Sequence, residues 1–567
     1  MLPPRAELRA DGEAILRLRH PEPLQAADDN LVALLERCCA RYAARRFLSE
    51  RDGEGWRSLS FAAFATAVEQ AAAVLAAEGI AAGRRVGILA PNGIAHAVAS
   101  FAVLALGAVA VPLSPAYLAH PRGAALLGQL ARSAGVEVLL HDETLPAWDE
   151  APRRVGLGAL MRRLGGSDAV PTLRERAAAI ASRQAAKIFF TSGSTGTPKA
   201  VVNTHGALAA AAAMLDQVGP RLPDDESPVV LDWLPWTHAF GGNANLHWAL
   251  LRGASFHIDA GAPVAGRFEQ TLRNLADVCP TSFTTVPTGY PLLLDALERD
   301  AALAARFFSR LRVCSFGGAA LSAAVIERFQ ALSLRVRGTR MPFGGGYGMT
   351  ETCGVIALVW WDTERGDLLG LPLPGIELKL VRGDGGRWEC RVRGANVFDG
   401  YLGGGDDAAF DDEGFFVTGD AVELADRECP EQGLIYAGRL REDFKLANGS
   451  WVRVGPLRAA LLDHLRPLAA DLVVLGENRD EPAALVWLAE PDAAREAAQA
   501  QLLAACRDFN RARRGATERI GRVLVAVRPP DAAAGELTAK GTLNARRIAE
   551  QRGDELVRLY TDPAFRV

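Results

Sequence analysis

The chain has 567 residues, of which 49% are hydrophobic and 23% are charged, and its formal net charge is -4. This composition excludes a mainly disordered chain, and the near-neutral charge excludes a protein built around the phosphate backbone of nucleic acid. The 8 cysteines are scattered without a CxxC pair. They therefore predict reduced thiols in the cytoplasm rather than a disulfide framework or a zinc ribbon.

The N-terminal segment carries several charges and lacks the apolar stretch that is typical of a secretory signal. No uncharged apolar run in the chain reaches the ~20 residues that a bilayer-spanning helix needs. The sequence therefore predicts neither a secretory signal nor a membrane span.

The first half of the chain alternates helical and strand patterns. Helical periodicity predicts helices over 61–78 and 95–106. Short apolar runs predict strands over 86–89, 108–113, 136–140, 187–190, 229–234, 282–286 and 313–316. A strand, a helix and a strand in close succession are typical of a parallel crossover unit. Residues 1 to about 380 are therefore predicted to be α/β, with parallel sheets buried on both faces.

The pattern changes after residue 376. Residues 376–424 contain short β runs broken by Gly and Asp, which predicts a small barrel or meander. Residues 434–454 predict a hairpin. The remainder predicts helices over 456–465 and 493–510 and strands near 472–475, 484–488 and 523–527. This α+β tail of roughly 125 residues is large enough to be a domain of its own.

The most informative segment is 187–201, with the sequence KIFFTSGSTGTPKAV. A predicted strand leads into a loop of glycines and small hydroxyl residues, and a helix is predicted near 206–215. Glycine lets backbone N–H groups approach phosphate oxygens, while hydroxyl groups and a lysine add donors and a positive charge. The segment therefore predicts a triphosphate loop, formed by Thr191, Ser192, Gly193, Ser194, Thr195, Gly196 and Lys199.

Other interpretations of this loop are weaker. The spacing of its glycines and lysine does not fit the GxxxxGK[ST] loop of Walker-type proteins, and the segment lacks the GxSxG of a nucleophile elbow. A flexible linker rich in Gly and Ser is the remaining alternative. The apolar strand directly before the loop and the Pro-Lys pair behind it favour the phosphate site.

Five segments spread over almost the whole chain carry related signals: TSGSTGTPKAV (191–201), GGGYGMTET (344–352), VTGD (417–420), GRLREDFKLANG (438–449) and GELTAKGTLNARR (535–547). In this order they resemble the phosphate-binding, adenine-and-magnesium, ribose-binding, hinge and catalytic-lysine motifs of the adenylate-forming enzymes. That superfamily includes acyl- and aryl-CoA synthetases, luciferases and peptide-synthetase adenylation domains. Within it the chain is most similar to feruloyl-CoA synthases and related aryl-CoA ligases, on the segments 235–246, 277–300, 370–381 and 442–459.

The resemblance implies a two-domain enzyme. An AMP-binding N-terminal domain of residues 1–438 would contain two parallel-type sheets and a small β-barrel around 376–424. A small, mobile α+β lid of residues 439–567 would follow, with a hinge near Arg441. Rotation of the lid between half-reactions would withdraw Lys540 and bring the segment that carries Lys445 toward the thiol.

The implied reaction has two steps and uses ATP, Mg2+ and coenzyme A. A carboxylate attacks the α-phosphorus of ATP to give acyl-AMP and pyrophosphate, and the thiol then displaces AMP. Repulsion between two anions in a site of low dielectric reaches several kcal/mol per close pair, so the site must supply cations and oriented donors. The expected partners are therefore small molecules, namely an acid, ATP and CoA; a homodimer is left open by the sequence.

The resemblance also implies a role for each matching residue. Lys540 would bridge the acid and the α-phosphate, Glu351 would hold Mg2+, and Thr350 would donate to the α-phosphate. Tyr347 would stack on adenine, and Asp420, assisted by Arg439, would accept the ribose hydroxyls. Small residues beside the adenine would be Gly317, Gly318, Ala319 and Gly348. The acyl pocket would be lined by His238, which gates the approach to the α-phosphate, and by Phe240, Asn243 and Gly344.

Without the resemblance, several of these residues have ordinary explanations. Lys540 would be a solvated surface lysine, Asp420 a turn former and His238 a structural residue. The position of each within its motif favours the functional role.

Three functions stay open from the sequence. The first is an acid–CoA ligase for an aromatic, hydroxycinnamate-like acid such as ferulate. The second is an acyl-AMP ligase that loads the phosphopantetheine of a carrier protein in trans. The third is a catalytically silent nucleotide-binding protein, which the complete set of motif lysines and acids disfavours.

Overall fold

The fold is taken from a computed structural model that describes residues 2–119, 123–146, 148, 152–165, 170–191, 198–223, 226–264, 266–383, 386–404, 409–490, 494–531, 534–537 and 543–567. Within these ranges, no helix has the length and the apolar character that crossing a bilayer requires.

The first part of the chain contributes six strands to one sheet, four strands to a second sheet and the helices beside them. Its elements are β1 (Glu7–Ala10), β2 (Ile15–Arg19), α1 (Leu31–Arg41), β3 (Arg46–Asp52), β4 (Gly55–Ser60), α2 (Phe61–Ala77), β5 (Arg85–Leu89), α3 (Ile94–Ala105), β6 (Val109–Leu113), α4 (Gly123–Ala134), β7 (Val138–His141), β8 (Arg153–Gly156), α5 (Leu157–Arg162), α6 (Leu173–Ala178), β9 (Ala185–Thr191) and β10 (Lys199–Thr204). The sheet order is β10-β9-β6-β5-β7-β8. All pairings in it are parallel except that of β10 with β9.

The middle of the chain builds the parallel half of a second sheet. Its elements are α7 (His205–Val218), β11 (Val229–Asp232), a π-helical turn (Phe240–Asn245), α8 (Leu246–Leu251), β12 (Ser255–Ile258), α9 (Phe268–Asp277), β13 (Ser282–Thr285), α10 (Gly289–Arg299), α11 (Ala301–Ser309), β14 (Val313–Gly317), α12 (Ala323–Arg337), β15 (Phe343–Tyr347) and β16 (Ala357–Leu358). Strands β3, β12, β11, β13, β14 and β15 pair in parallel in that order. The predicted pair of parallel sheets is therefore confirmed.

The antiparallel half of this second sheet follows, in β17 (Leu368–Pro372), β18 (Glu377–Arg382), β19 (Trp388–Arg393), β20 (Phe416–Leu424) and β21 (Leu434–Arg439). The last four of these strands are successive antiparallel neighbours, which is the meander of the barrel-or-meander prediction. The N-terminal strand β2 pairs with β18 and extends the sheet. Strands β16 and β17 join this half to the parallel half, giving a continuous order of 15 described strands.

The C-terminal part has its own apolar core. Its elements are β22 (Phe444–Lys445), β23 (Trp451–Val452), α13 (Val454–Leu465), β24 (Ala469–Leu475), β25 (Ala483–Leu488), α14 (Arg495–Arg511), β26 (Arg522–Val525), α15 (Ala545–Gln551) and α16 (Gly553–Thr561). Leu461, Leu472, Val486 and Leu502 are buried together between the helices and the sheet β24-β25-β26. The predicted fold class, a large α/β N-terminal domain followed by a small α+β domain, is confirmed.

Two glycines allow close contact between the large domain and α13. A Cβ built on Gly455 would lie 2.9 Å from the Cα of Gly438 on β21, which is closer than real Cβ atoms come. The close approach therefore requires glycine at residue 455, while Gly438 has φ +102°, a backbone conformation that favours glycine for its own reason.

Candidate active site

The predicted phosphate loop is closed at its base by a pair of strands. Thr191 is the last residue of β9 and lies opposite Lys199, the first residue of β10. Ser192, Gly193, Ser194, Thr195 and Gly196 lie outside the described residues. Residues 199–204 pair back onto β9 as a strand before the helix predicted near 206–215 begins. The helix α7 then begins at His205, where the Thr204 hydroxyl caps it by accepting from the Ala207 N–H.

The predicted metal ligand, Glu351, is buried with 8% of its surface exposed. The Tyr401 hydroxyl donates to Glu351 Oε1 at 2.9 Å, and the Lys199 ammonium lies 4.6 Å from the centroid of the same tyrosine ring. Leu402 N–H donates to the Ala200 carbonyl at 2.9 Å, which holds this tyrosine segment against β10. The structure thus brings the phosphate-loop lysine and the metal motif to one aromatic ring.

This surrounding fits a bound Mg2+. Among the described side chains Glu351 forms no ion pair, and a buried carboxylate without a cation is costly. One carboxylate together with substrate phosphates and water is a usual ligand set for Mg2+. In the described ranges, no three or more His, Cys, Asp or Glu side chains form a group that could hold a metal ion. The phosphates would therefore have to supply further ligands.

Three predicted nucleotide residues form one hydrogen-bonded group. Asp420 is 4% exposed, and it lies opposite Arg439 in the pairing of β20 with β21. Its Oδ1 accepts from Arg439 Nε at 3.1 Å, and its Oδ2 accepts from the Tyr347 hydroxyl at 2.8 Å. Burial and the nearby carboxylate raise the pKa of Tyr347 well above its usual value, so its hydroxyl stays a neutral donor. The carboxylate is therefore held in one orientation at the end of β15.

A glycine predicted to lie beside the adenine contacts Phe240 of the predicted acyl pocket, and this side of the pocket is called the acyl wall below. Strand β14 ends at Gly317, and a Cβ built there would lie 3.0 Å from Cζ of Phe240. The next residue, Gly318, is exposed, has φ +87° and has no atom within 4 Å of a built Cβ. Ala319 is exposed beside it. The absence of a side chain at residue 317 therefore makes room for the phenylalanine ring.

Two further predicted glycines are required by backbone packing. A Cβ on Gly344 would lie 2.7 Å from the Val359 carbonyl oxygen, and one on Gly348 would lie 2.2 Å from the Gly354 carbonyl oxygen. Both positions thus have a packing reason to be glycine. Their predicted contacts with substrate stay predictions.

The acyl-wall segment contains a π-helical turn that the sequence analysis did not foresee. His238 is half-buried just before this turn, and its carbonyl accepts from the Gly242 N–H at 2.8 Å. Asn243 is 2% exposed, and its Nδ2 donates to Oδ1 of Asn203 at 3.1 Å. Asn203 Nδ2 in turn donates to the Thr350 carbonyl at 3.0 Å. The amide of Asn243 is therefore engaged with the protein interior and is linked to the metal motif.

Sequence reasoning missed three residues that the structure places at this site. Lys187, Asn203 and Tyr401 contact predicted site residues, and each comes from a different segment. Lys187 and Asn203 flank the phosphate loop on β9 and β10, and a charged or amide residue inside an apolar strand pattern was their only signal. The segment of Tyr401 has no spacing that marks it.

The predicted hinge region lies at the junction of the two parts. Arg441 and Lys445 are exposed, and the Lys445 ammonium lies 5.0 Å from the centroid of the Trp451 ring. Next to the hinge position, the buried side chains of Asp443 and Arg387 form an ion pair that ties this segment to the large domain. Lys540 lies outside the described residues.

The flanks of the Lys540 segment are fixed inside the C-terminal part. Leu537 and Leu543 form an isolated antiparallel bridge, and Asn544 N–H donates to the Glu536 carbonyl at 2.8 Å. The Glu536 carboxylate pairs with Arg552, and both side chains are fully buried.

A separate cavity of about 600 Å3 opens near the amino ends of β11, β13 and β14. Arginines 37, 41, 45 and 252 and Tyr42 are among its lining residues. None of the predicted site residues that the structure describes lines it, so it is distinct from the described part of the candidate active site. The candidate active site, in contrast, includes Gly317 and Tyr347 at the carboxyl ends of β14 and β15.

Comparison with models of known protein families identifies the family of the chain. A model described as "AMP-binding enzyme" matches residues 35–402, which is more than half of the chain. The chain belongs to the AMP-binding enzyme family. A second model of this family, "AMP-binding enzyme C-terminal domain", matches residues 443–564.

Curated relatives of the chain carry the names of CoA ligases. It is 29% identical over 318 residues to probable CoA ligase CCL8 of Humulus lupulus, a match over 52% of this chain that spans about half (49%) of that protein. It is 28% identical to the long-chain-fatty-acid–CoA ligase FadD15 of Mycobacterium bovis, over 77% of this chain and 78% of that protein. It is 26% identical to 4-coumarate–CoA ligase of Pinus taeda, over 76% of this chain and 80% of that protein.

Solved structures share the fold. The o-succinylbenzoate CoA synthetase MenE of Bacillus subtilis, solved with its acyl-adenylate intermediate, superposes with a TM-score of 0.73. The match covers 93% of this chain and 99% of that one at 22% sequence identity. The predicted class of enzyme, an AMP-forming acid–thiol ligase that uses ATP, Mg2+ and coenzyme A, is confirmed.

Proposed function

We propose that this AMP-binding enzyme activates an aromatic acid of the hydroxycinnamate class, such as ferulate, and transfers it to coenzyme A. In the first step a carboxylate oxygen bonds to the α-phosphorus of ATP, and the bond from that phosphorus to pyrophosphate breaks. In the second step the thiolate sulfur of CoA bonds to the acyl carbon, and AMP leaves. Family membership supports the reaction class, and the aromatic acid is the finer part of the proposal.

The contact between Phe240 and Gly317 carries the proposal of an aromatic acid. An aromatic ring lies against a stretch of backbone that has no side chain at residue 317 and open space at Gly318. A flat wall beside bare backbone favours a planar ligand, because aromatic rings gain from offset or edge contact with one another. The same glycines are the predicted neighbours of adenine, so an acid held here would have its carboxylate close to the nucleotide.

The described polar residues suit the binding of ATP beside this wall. Asp420, oriented by Tyr347 and Arg439, would accept the two ribose hydroxyls. Glu351, oriented by the Tyr401 hydroxyl, would hold Mg2+. The ion, when bound, neutralises charge on the phosphates. The ammonium group of Lys199, near the same tyrosine ring, would face the phosphates from β10.

The names of the relatives set the competing outcomes. A relative named for 4-coumarate supports the aromatic acid, whereas one named for long-chain fatty acids makes an aliphatic acid the main competitor. The carrier-protein thiol remains the competing acceptor. Both questions can be answered with one purified protein.

The test is a panel of acids assayed by pyrophosphate release with ATP, Mg2+ and CoA. The panel contains ferulate, 4-coumarate, benzoate, decanoate and palmitate, and mass spectrometry identifies the thioester. We expect kcat/KM for the hydroxycinnamates to exceed that for the fatty acids at least tenfold. A preference for decanoate or palmitate would refute the aromatic assignment. AMP release that responds to a phosphopantetheinylated carrier protein but not to free CoA would refute CoA as acceptor.

A matched variant tests the wall itself. Phe240→Leu keeps an apolar side chain but removes the flat ring, so we expect it to reduce the preference for ferulate over decanoate. Phe509→Leu is the control, because Phe509 is an aromatic residue in the apolar core of the C-terminal part, where it packs against His464. Equal effects of the two changes on acid preference would contradict the role of Phe240.

We also propose that the domain border lies at residues 438 and 439 and that the lid of 439–567 rotates about Arg441. The exposure of Arg441 at the junction supports this, as does the separate apolar core of the C-terminal part. Rotation would exchange Lys540 for the segment of Lys445 at the active site.

A further inference from the structure

Lys187 is a buried lysine to which the proposed reaction assigns no role. It lies on β9, and 5% of its surface is exposed. Its Nζ donates to the Gly242 carbonyl at 2.8 Å and to Asn243 Oδ1 at 3.2 Å, and it lies 3.2 Å from Nε2 of His247. No carboxylate among the described residues pairs with it. An ammonium group buried without a counter-ion is costly, so its presence calls for a compensating role.

The titratable groups around this ammonium are all neutral. They are His96 on α3, His205 at the start of α7, His247 on α8, and Cys353, which follows the 350–352 turn. Burial, helped by the charge of Lys187, lowers the pKa of His96 and of His205 to about 4 and that of His247 well below its usual value. Burial raises the pKa of the Cys353 thiol. Burial also lowers the pKa of Lys187 to about 7, so of these five groups the lysine changes charge near neutral pH. Asp232, whose pKa burial raises to about 7, accepts from Asn245 at the other end of the same turn at 2.9 Å.

The acceptors of Lys187 belong to the π-helical turn Phe240–Asn245. π-Helical turns are rare and occur frequently at functional sites. Phe240 at the start of this turn contacts Gly317, and Asn243 within it connects through Asn203 to the Thr350 carbonyl. Lys187 therefore bonds directly to the segment that joins the acyl wall to the metal motif.

We propose that Lys187 is a positioning residue for the acid-activation step. Its ammonium group fixes the π-helical turn, and through Asn243 and Asn203 it sets the distance between the Phe240 wall and Thr350. This inference rests on the proposed function, since the wall and the metal motif matter only if an acid and ATP meet there. A displacement of ~1 Å in such a site lowers the rate of reaction by about 100-fold.

The test compares Lys187→Met with the wild type in acid-dependent pyrophosphate exchange from pH 6 to 9. Methionine keeps most of the length and removes the charge and the donors. We expect the exchange rate at saturating acid and ATP to fall by about 100-fold and the KM for the acid to rise at least tenfold, while the KM for ATP stays within twofold. We also expect the wild-type KM for the acid to change with pH around 7 and that of the variant to lose this change. Lys187→Gln, which keeps a donor, is the second variant if methionine prevents folding.

Lys379→Met is the matched control. Lys379 is also a buried lysine, 6% exposed, but its ammonium pairs with Asp411 and Glu413 in the antiparallel half of the sheet. A purely structural role for Lys187 predicts that both variants lose stability without separating the two KM values. The same separation in Lys379→Met, or its absence in Lys187→Met, would overturn the proposal.

Asn203→Ala tests the route to the metal motif. It breaks the next link beyond Asn243, so we expect the same separation of KM values and a smaller effect in the double variant than the sum of the single effects. Independent, additive effects would overturn the route.

A measurement without substrates separates this inference from the proposed function. Hydrogen exchange of the amides of residues 240–245 should be at least tenfold faster in Lys187→Met than in the wild type. If the wild type activates no acid at all, the proposed function fails, and the exchange data still decide whether Lys187 fixes the turn. Unchanged exchange would refute that structural role.

Discussion

Arg552 and Glu536 form a fully buried ion pair next to the segment of Lys540, and removal of the arginine should unfold the C-terminal domain locally. Arg552 Nε and Nη2 donate to the two carboxylate oxygens of Glu536 at 2.8 and 2.6 Å, and both side chains are 0% exposed. Arg552→Met removes the cation that the buried carboxylate bonds directly and leaves, among the described side chains, only Arg528, at 3.9 Å, beside it. Removing one partner of such a pair costs about 3–5 kcal/mol. We therefore expect amide exchange in β24, β25 and β26 to accelerate by about 10²- to 10⁴-fold.

The pH dependence of this loss has a definite sign. Burial alone would raise the pKa of Glu536, but hydrogen bonds from Arg552 and from the Asp531 N–H outweigh it, and the pKa is lowered below 4.5. The pair therefore stabilises the domain at neutral pH. This stabilisation is lost as the pH falls below the pKa that the carboxyl group has in the unfolded chain and then through its lower pKa in the folded chain. The difference between wild type and Arg552→Met should narrow below about pH 4.5.

The assay is hydrogen exchange of the full chain at pH 7, with Arg546→Met as the control. Arg546 pairs with Glu550 on the same domain, but its side chain is 71% exposed, so its loss should change exchange in β24, β25 and β26 far less than the loss of Arg552. The double variant Glu536→Leu/Arg552→Met removes this pair and should recover part of the stability, since Glu555, which also pairs with Arg552, then keeps, among its described contacts, only its bond from the Val527 N–H. The reasoning is refuted if Arg552→Met is no less stable than Arg546→Met, or if the double variant is worse than the single one.

Four further outcomes are expected. Asp420→Asn should raise the KM for ATP about 10- to 100-fold, because hydrogen bonds to a charged group contribute about 1.5–3 kcal/mol. The KM for the acid should stay within twofold. Calorimetric titration with ATP checks the loss of nucleotide affinity. Lys540→Met should slow adenylate formation by about 10²- to 10³-fold, yet spare thioester formation from preformed acyl-AMP in rapid-quench experiments. Arg441→Pro should do the reverse, and equal loss of both steps would contradict the hinge. For Lys187, whose pKa falls from 10.5 to about 7 on folding, the native chain binds fewer protons than the unfolded one between these values. The stability of the wild type relative to Lys187→Met should therefore rise by up to about 1.4 kcal/mol per pH unit above pH 7, as melting temperatures from pH 7 to 9 would reveal.

Apolar periodicity predicted the buried elements of the fold well. Strand β5, helix α3 and strand β6 lie within one residue of their predicted limits, because Gly and Pro bound them and both faces are buried. The hairpin β1–β2 was missed because β1 is mostly exposed and rich in charge, so it lacks the alternation of a half-buried strand. The π-helical turn was missed because its shape depends on side chains from distant strands.

The motifs predicted a set of site residues, but not how these residues are held. The VTGD motif identified Asp420, whereas its bond to Tyr347 joins residues 73 positions apart. Lys187 and Asn243 are separated by 56 positions, and no local pattern links them. Tyr401 lies 50 positions from Glu351, and its contact with that carboxylate arises only from the pairing of its segment with β10. Such contacts follow from tertiary packing and therefore have no local sequence signal.

The contact between Gly438 and Gly455 has a consequence for engineering. A single methyl group at residue 455 would lie 2.9 Å from the backbone of β21, with only main-chain atoms to give way. Gly455→Ala is therefore the smallest substitution that would push the two domains apart at this contact, since it adds one methyl group, adds no charge and removes no donor. A library intended to test the proposed rotation of the lid would begin at that position.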